Sequence, residues 1–136
     1  MEMDFRTLSE SLEADELREY FIQFFNEYQD KPKNMESLGQ LHALAYRQWD
    51  TYEPLDDNIA EKAEEYLMSA VNFSSYEITD IILSIVENLS LKNIFGYIVD
   101  SKDKASDAAI ARLISDAQEE YGERINNPYG DFDDIF

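Results

Sequence analysis

Cysteine is absent from the 136 residues, which excludes disulfides, a thiolate nucleophile and Cys-ligated zinc. Histidine occurs once, at His42, so a His-rich metal site is excluded too. A carboxylate-bridged di-metal centre in a helical bundle needs two Glu-x-x-His pairs, and the residue three before His42 is Gly39. With a single histidine, no nucleophile–base pair can be assembled around the many serines and tyrosines. The four glycines, Gly39, Gly96, Gly122 and Gly130, stand singly, so no Gly-rich phosphate loop exists. The acidic stretch Asp100-Ser101-Lys102-Asp103-Lys104-Ala105 places lysine at loop position 5 and no glycine at position 6, which fails as a calcium loop.

Positive charge is scarce. Eleven Lys and Arg face thirty Asp and Glu, for a net charge of −19. A field of that sign disfavours direct binding to DNA, RNA or an anionic membrane, all of which reward Lys and Arg. No apolar run approaches the ~18 residues of a membrane span. The start, Met1-Glu2-Met3-Asp4, lacks the basic and apolar regions of a signal peptide. These absences point to a cytoplasmic, non-catalytic chain with no cofactor, no metal, no nucleic-acid partner and no membrane partner.

What is present is helical spacing. Apolar residues make up 44% of the chain, enough for one domain with a sizeable core. Leu17, Tyr20, Phe21, Phe24, Phe25 and Tyr28 recur at i, i+3, i+4, i+7, i+8 and i+11, one stripe of a helix over residues 15–29. That stripe reads as core, with a homodimer interface as the alternative. Pro32 breaks it. A second helix, about 35–49, carries Leu38, Leu41, Ala45 and Trp49 on one side, and Pro54 with Asp56-Asp57-Asn58 separates it from the next. A third, 58–71, presents Ile59, Ala63, Tyr66, Leu67 and Ala70.

Ser74 with Glu77 reads as a capping box for a fourth helix. That helix bears Ile78, Ile81, Ile82, Ile85, Val86 and Leu89. The β-branched density makes a strand the competing reading, but strict alternation is missing, and Asp80, Ser84, Glu87 and Asn88 gather on the opposite side. Ser90 is expected to cap a short fifth helix, and a charged turn over 100–105 leads to a last helix over 106–121. Gly122 is expected in the left-handed position that ends it. The prediction is therefore an all-α domain over 1–122, a helical bundle or short α-solenoid, followed by an acidic, aromatic tail over 123–136.

The third and fourth helices and the fifth and sixth form two helix–turn–helix units about 30 residues apart, over Asn58–Leu89 and Leu91–Tyr121. Such a period resembles degenerate HEAT-like repeats and is equally compatible with a six-helix bundle. The stretch Leu38-Gly39-Gln40-Leu41-His42-Ala43-Leu44-Ala45-Tyr46-Arg47-Gln48-Trp49, an acidic connection and these hairpins resemble the small helical immunity proteins of bacterial polymorphic toxin (contact-dependent inhibition) systems. The likeness lies in size, acidity and helical pattern, and carries over no site residue. It implies a bacterial, cytoplasmic protein that binds a cognate toxin domain, often a nuclease.

Acids interleaved with aromatics mark the candidate partner-binding residues, because a nuclease cleft is cationic and buried aromatics anchor interfaces. One group is Trp49, Asp50, Tyr52, Glu53, Asp56 and Asp57. A second is Tyr129, Asp131, Phe132, Asp133 and Asp134, with Phe136. A third lies on the fourth helix: Tyr76, Glu77, Asp80, Ser84 and Glu87, which would line the concave face if the repeats form. For each group the alternative is a solvated face, for Trp49 a core position, and for the tail aromatics docking onto the domain itself. His42 is expected to be half-buried and hydrogen-bonded. The expected function is stoichiometric occlusion of a basic toxin nuclease domain. A helical-repeat adaptor, or a phage-type acidic DNA mimic that inhibits a host nuclease, fits the same residues. The oligomeric state stays open.

Overall fold

The computed structural model describes residues 4–8, 12–51, 53 and 55–126, the last five as helix backbone. Among them there is no strand. Six α-helices run in order: α1 (Ala14–Tyr28), α2 (Met35–Asp50), α3 (Asp57–Ala70), α4 (Tyr76–Leu89), α5 (Lys92–Asp100) and α6 (Ala108–Asn126). Two single 3-10 turns, Phe5–Thr7 and Lys102–Lys104, complete the set. No helix among the described residues is long and apolar enough to cross a membrane.

Local chemistry starts most of these helices. The Asn34 side chain accepts the Ser37 N–H at 3.0 Å, and the Ser37 hydroxyl accepts the Asn34 N–H at 2.9 Å, a reciprocal cap for α2. Asp56 accepts the N–H groups of Asn58 and Ile59 at the start of α3. Ser75, not Ser74, caps α4 by accepting the Ile78 N–H at 3.2 Å. Asp107 accepts the Ile110 N–H at 3.0 Å in the first turn of α6.

The exception is α5. Ser90 does not cap it; Ser90 instead ends α4 at φ 56°, ψ 47°. The N–H of Leu91 reaches the carbonyl of Val86 at 3.1 Å and that of Ser90 reaches Glu87 at 3.4 Å, a left-handed C-terminal motif that usually carries glycine. Leu91 then occupies the cap position of α5 and has no side-chain oxygen to offer. Glu64 of α3 supplies it across the fold, accepting the Ile94 N–H at 3.0 Å and the Asn93 amide at 3.3 Å. Gly122 departs from expectation as well. α6 passes through it to Asn126, so the tail expected from 123 begins with four helical residues. A single glycine costs a helix only about 1 kcal/mol, and the following Glu123-Arg124-Ile125 are able to continue the turn.

The helices pair as three hairpins, α1/α2, α3/α4 and α5/α6. α4 lies along α2 on one side and α6 on the other, while α3 touches both α1 and α5. The even helices thus form one layer and the odd helices a second. The expected pair of repeats is joined by α1/α2 as a first unit. The core fills the space between layers with Leu17, Phe21, Leu38, Leu41, Ala63, Leu67, Ile82, Ile85, Ile94, Ile98, Ile110 and Ile114. The phenylalanines of α1 are buried inside the chain: Phe24 stacks on Tyr28 at 4.9 Å between ring centres and meets Tyr66 edge-on at 5.3 Å.

The N-terminal segment belongs to this core. Phe5 is fully buried, edge-on to Tyr20 and Phe24. Its N–H donates to the buried Gln40 Oε1 at 2.6 Å, and Gln40 Nε2 donates to Asp4 at 3.1 Å. Arg6 binds Asp4 and reaches Glu36 of α2, an arrangement that holds the Asp4 carboxyl below its usual range. Arg47, buried in α2, donates to the carbonyls of Ala43 and Leu8, both at 2.7 Å. Its guanidinium thereby ties the Leu8 carbonyl, just past the short 3-10 turn, to α2.

Candidate functional site

α4 is the central helix of the even layer, and its outward face forms the floor of a groove. α2 contributes His42 and Tyr46 as one wall, four residues apart and so on one helix face. α4 contributes Asp80, Leu83, Ser84, Glu87 and Asn88. α6 contributes Leu113, Asp116, Ala117, Glu120 and Tyr121 as the other wall. The groove encloses about 360 Å³. Four of its described lining residues are carboxylates, and none is lysine or arginine. Negative charge is therefore gathered among the described lining residues.

The apolar part of the lining is Leu83, Leu113 and Ala117, between the acids of α4 and α6. Tyr46 is half exposed at the rim. Burial pushes the His42 imidazole below its ordinary pKa, against the opposing pull of the Asp80 carboxylate. His42 is half-buried as expected, with its charged form disfavoured by the same burial.

Ser84, His42 and Asp80 are the residue types of a hydrolase triad and line the same groove. No hydrogen bond joins these three described residues, and Ser84 sits inside α4, where backbone N–H groups are committed to carbonyls one turn earlier. The described residues hold no group of three or more His, Asp or Glu arranged for a metal ion.

Of the residues expected from sequence to meet a partner, Asp80 and Glu87 line the groove, with Ser84 between them. Tyr76 and Glu77 are exposed in the first turn of α4, and Tyr76 lies one turn before Asp80 on the same side. The group around the α2–α3 connection lies elsewhere. Trp49 is half-buried and Asp50 exposed at the end of α2. Glu53 and Asp57 line a separate cleft of about 250 Å³ with Gln48, Ser90 and Asn93. Asp56 is engaged twice, as the cap of α3 and 3.5 Å from Arg18 Nε, so its charge is partly matched within the chain. Tyr52 lies outside the described residues, as do Tyr129, Asp131, Phe132, Asp133, Asp134 and Phe136.

Sequence reasoning missed Tyr46, Asp116 and Glu120. Asp116 and Glu120 sit one turn apart on α6, beside Ala117. The signal was available in that i, i+4 pair of acids. What placed them opposite Asp80 and Glu87 was the packing of α6 on α4.

A second acidic surface lies on the odd layer. Glu61, Glu64 and Glu65 of α3 surround exposed Met68 and Tyr97 over a shallow depression of about 670 Å³. Glu64 is already occupied as the cap of α5, and Lys104 lies 5.7 Å from the Tyr97 ring centre.

Compared with models of known protein families, with curated proteins and with solved structures, the chain matches none.

Proposed function

We propose that this chain is a binding protein for a basic protein partner, and that it acts as an immunity protein that occludes a toxin domain, most readily a nuclease. The observation that carries this reading is the groove over α4: four carboxylates from two helices, apolar residues between them, and no cation among its described lining residues. A cleft built to hold a polyanionic substrate is cationic, and a rigid acidic groove competes for the same field. The net charge of −19 extends that attraction beyond contact distance and speeds association. Stoichiometric occlusion requires no reaction.

The test is affinity capture from the native host at low salt, with mass spectrometry of the retained proteins, followed by the variant Asp80→Lys/Glu87→Lys/Asp116→Lys/Glu120→Lys. One basic protein retained at near-equal stoichiometry and lost by the variant is the expected result. Retention of no basic protein, or equal retention by the variant, refutes the reading. If a basic protein is retained, purified toxin activity titrated with the chain should reach zero at one equivalent.

A further inference from the structure

We infer that residues 4–8 form an exchangeable strap, and that the face of α2 beneath it also receives the same segment of a second copy of this chain, giving a reciprocal dimer. The inference is independent of the proposed function and rests on how the strap is held.

α2 holds the strap as a receptor holds a peptide. Glu36, Gln40 and Arg47 stand at i, i+4 and i+11, on one face of the helix. Gln40 and Arg47 are buried, and both bind main chain of the strap. Gln40 Oε1 accepts the Phe5 N–H at 2.6 Å, and Arg47 donates to the Leu8 carbonyl at 2.7 Å. Side chains are recognised between those points. Gln40 Nε2 donates to Asp4 at 3.1 Å, Phe5 is fully buried edge-on to Tyr20 and Phe24, and Arg6 meets Glu36 at 3.1 Å. The ligand chemistry is therefore an acid, an aromatic residue and a base in that order, Asp4-Phe5-Arg6.

The strap carries its own shape. The Asp4 side chain accepts the Arg6 N–H at 3.0 Å and the Asp4 carbonyl accepts the Thr7 N–H at 3.2 Å, so the turn is closed by bonds within the segment. The hydrogen bonds that leave it go to α2, and its ring contacts go to α1. The strap of a second copy would make the same set. Exchange keeps these contacts and alters only the connection from Leu8 to Leu12, both of which pack on the core. Such a dimer needs no new interface, and a short connection invites it. A vacated face also favours an occupant, because Gln40 loses the Phe5 N–H and the ring pocket meets water. Each copy carries −19, so charge opposes the dimer and salt should strengthen it. Binding of a basic partner has the opposite salt dependence.

The experiment uses the full chain and a fluorescent synthetic peptide of residues 1–12. In the wild type the tethered strap competes at an effective concentration of about 1 mM, so the peptide should bind weakly. In Phe5→Ala the chain's own ring is gone, and the peptide should bind at least about tenfold tighter than to the wild type. A peptide carrying Phe5→Ala should not bind, and one carrying Arg6→Glu, which sets a carboxylate against Glu36, should bind more weakly. Circular dichroism checks that the Phe5→Ala chain folds. Sedimentation of the wild type from about 10 µM to about 1 mM needs no variant and should show a dimer that grows with concentration. That dimer should be more abundant at about 300 mM than at about 50 mM salt, and excess peptide should dissociate it. A wild type that stays monomeric throughout overturns the inference, and so does a dimer that excess peptide leaves intact, since another face then holds it. Equal binding of the natural and Phe5→Ala peptides to a folded Phe5→Ala chain overturns it as well. None of these results bears on capture of a basic host protein, so the inhibitor reading stands or falls separately.

Discussion

Replacing Phe5 by alanine tests whether the N-terminal segment is part of the folded core. Phe5 sits in a single 3-10 turn, an element that cannot hold itself together, yet its side chain is fully buried against α1 and α2. Truncation of a buried Phe costs about 3–5 kcal/mol, from lost transfer energy and the cavity left behind. The ring here also loses edge-on contacts to Tyr20 and Phe24 at 6.2 and 6.1 Å. That places the cost at the upper half of the range. Against a total stability of about 5–15 kcal/mol, the change is about a quarter or more of the whole. For a chain of this size it lowers Tm by roughly 14–17 °C.

Urea unfolding, followed by helical circular dichroism and by Trp49 fluorescence, measures this in one experiment. Both signals should shift together if α1 and α2 unfold as one unit with the rest. Gln40→Ala supplies the companion measurement, because it leaves the buried Phe5 N–H unpaired at a cost of about 1–3 kcal/mol. The double variant should lose less than the sum of the two, since both act through the docking of one segment. A loss below about 1 kcal/mol for Phe5→Ala, within the range of ordinary surface substitutions, would refute the docking of this segment.

Glu64→Ala removes the acceptor at the start of α5 and should cost about 1 kcal/mol, while Glu64→Gln keeps an acceptor and should cost less. Hydrogen exchange of the Ile94 amide should rise in the alanine variant, and unchanged protection there would rule out the cross-fold cap. His42 titrates below its unfolded value of 6.5, so the unfolded chain binds the proton more readily and stability falls as pH drops through 6.5 toward the lower folded pKa. His42→Gln, which has no charge to gain, should therefore lose ground to the wild type at about pH 7.5 and recover it at about pH 5.5. A gap between the two urea midpoints that does not change with pH contradicts the burial of the neutral imidazole.

Much of the fold was legible because helix periodicity is a local property. The apolar stripes of α1, α3 and α4 can be read from neighbouring residues; α3 and α4 start within a residue or two of their Asp and Ser signals, and α1 ends at Tyr28, four residues before Pro32. Legibility failed where one segment depends on another. Phe5 carries no periodic partner nearby, so nothing in residues 1–10 announces that Gln40, thirty-five positions on, receives its N–H. Ser90 looked like the cap of α5 because serine favours that role, whereas the chain used it as a left-handed stop for α4 and took the cap from Glu64.

The candidate site divides the same way. Composition alone determined its sign: thirty Asp and Glu against eleven Lys and Arg make the surface acidic whatever the shape. The i, i+4 and i+7 spacings of α4 and α6 also determined which acids share a helix face. Only the tertiary structure decided which of those faces meet. Packing α2 and α6 on either side of α4 brought Asp80 and Glu87 opposite Asp116 and Glu120, and it left Asp56 matched by Arg18 on another part of the surface. Charge is additive along a sequence, but a field depends on distance, and distances between helices are set by the side chains packed between them.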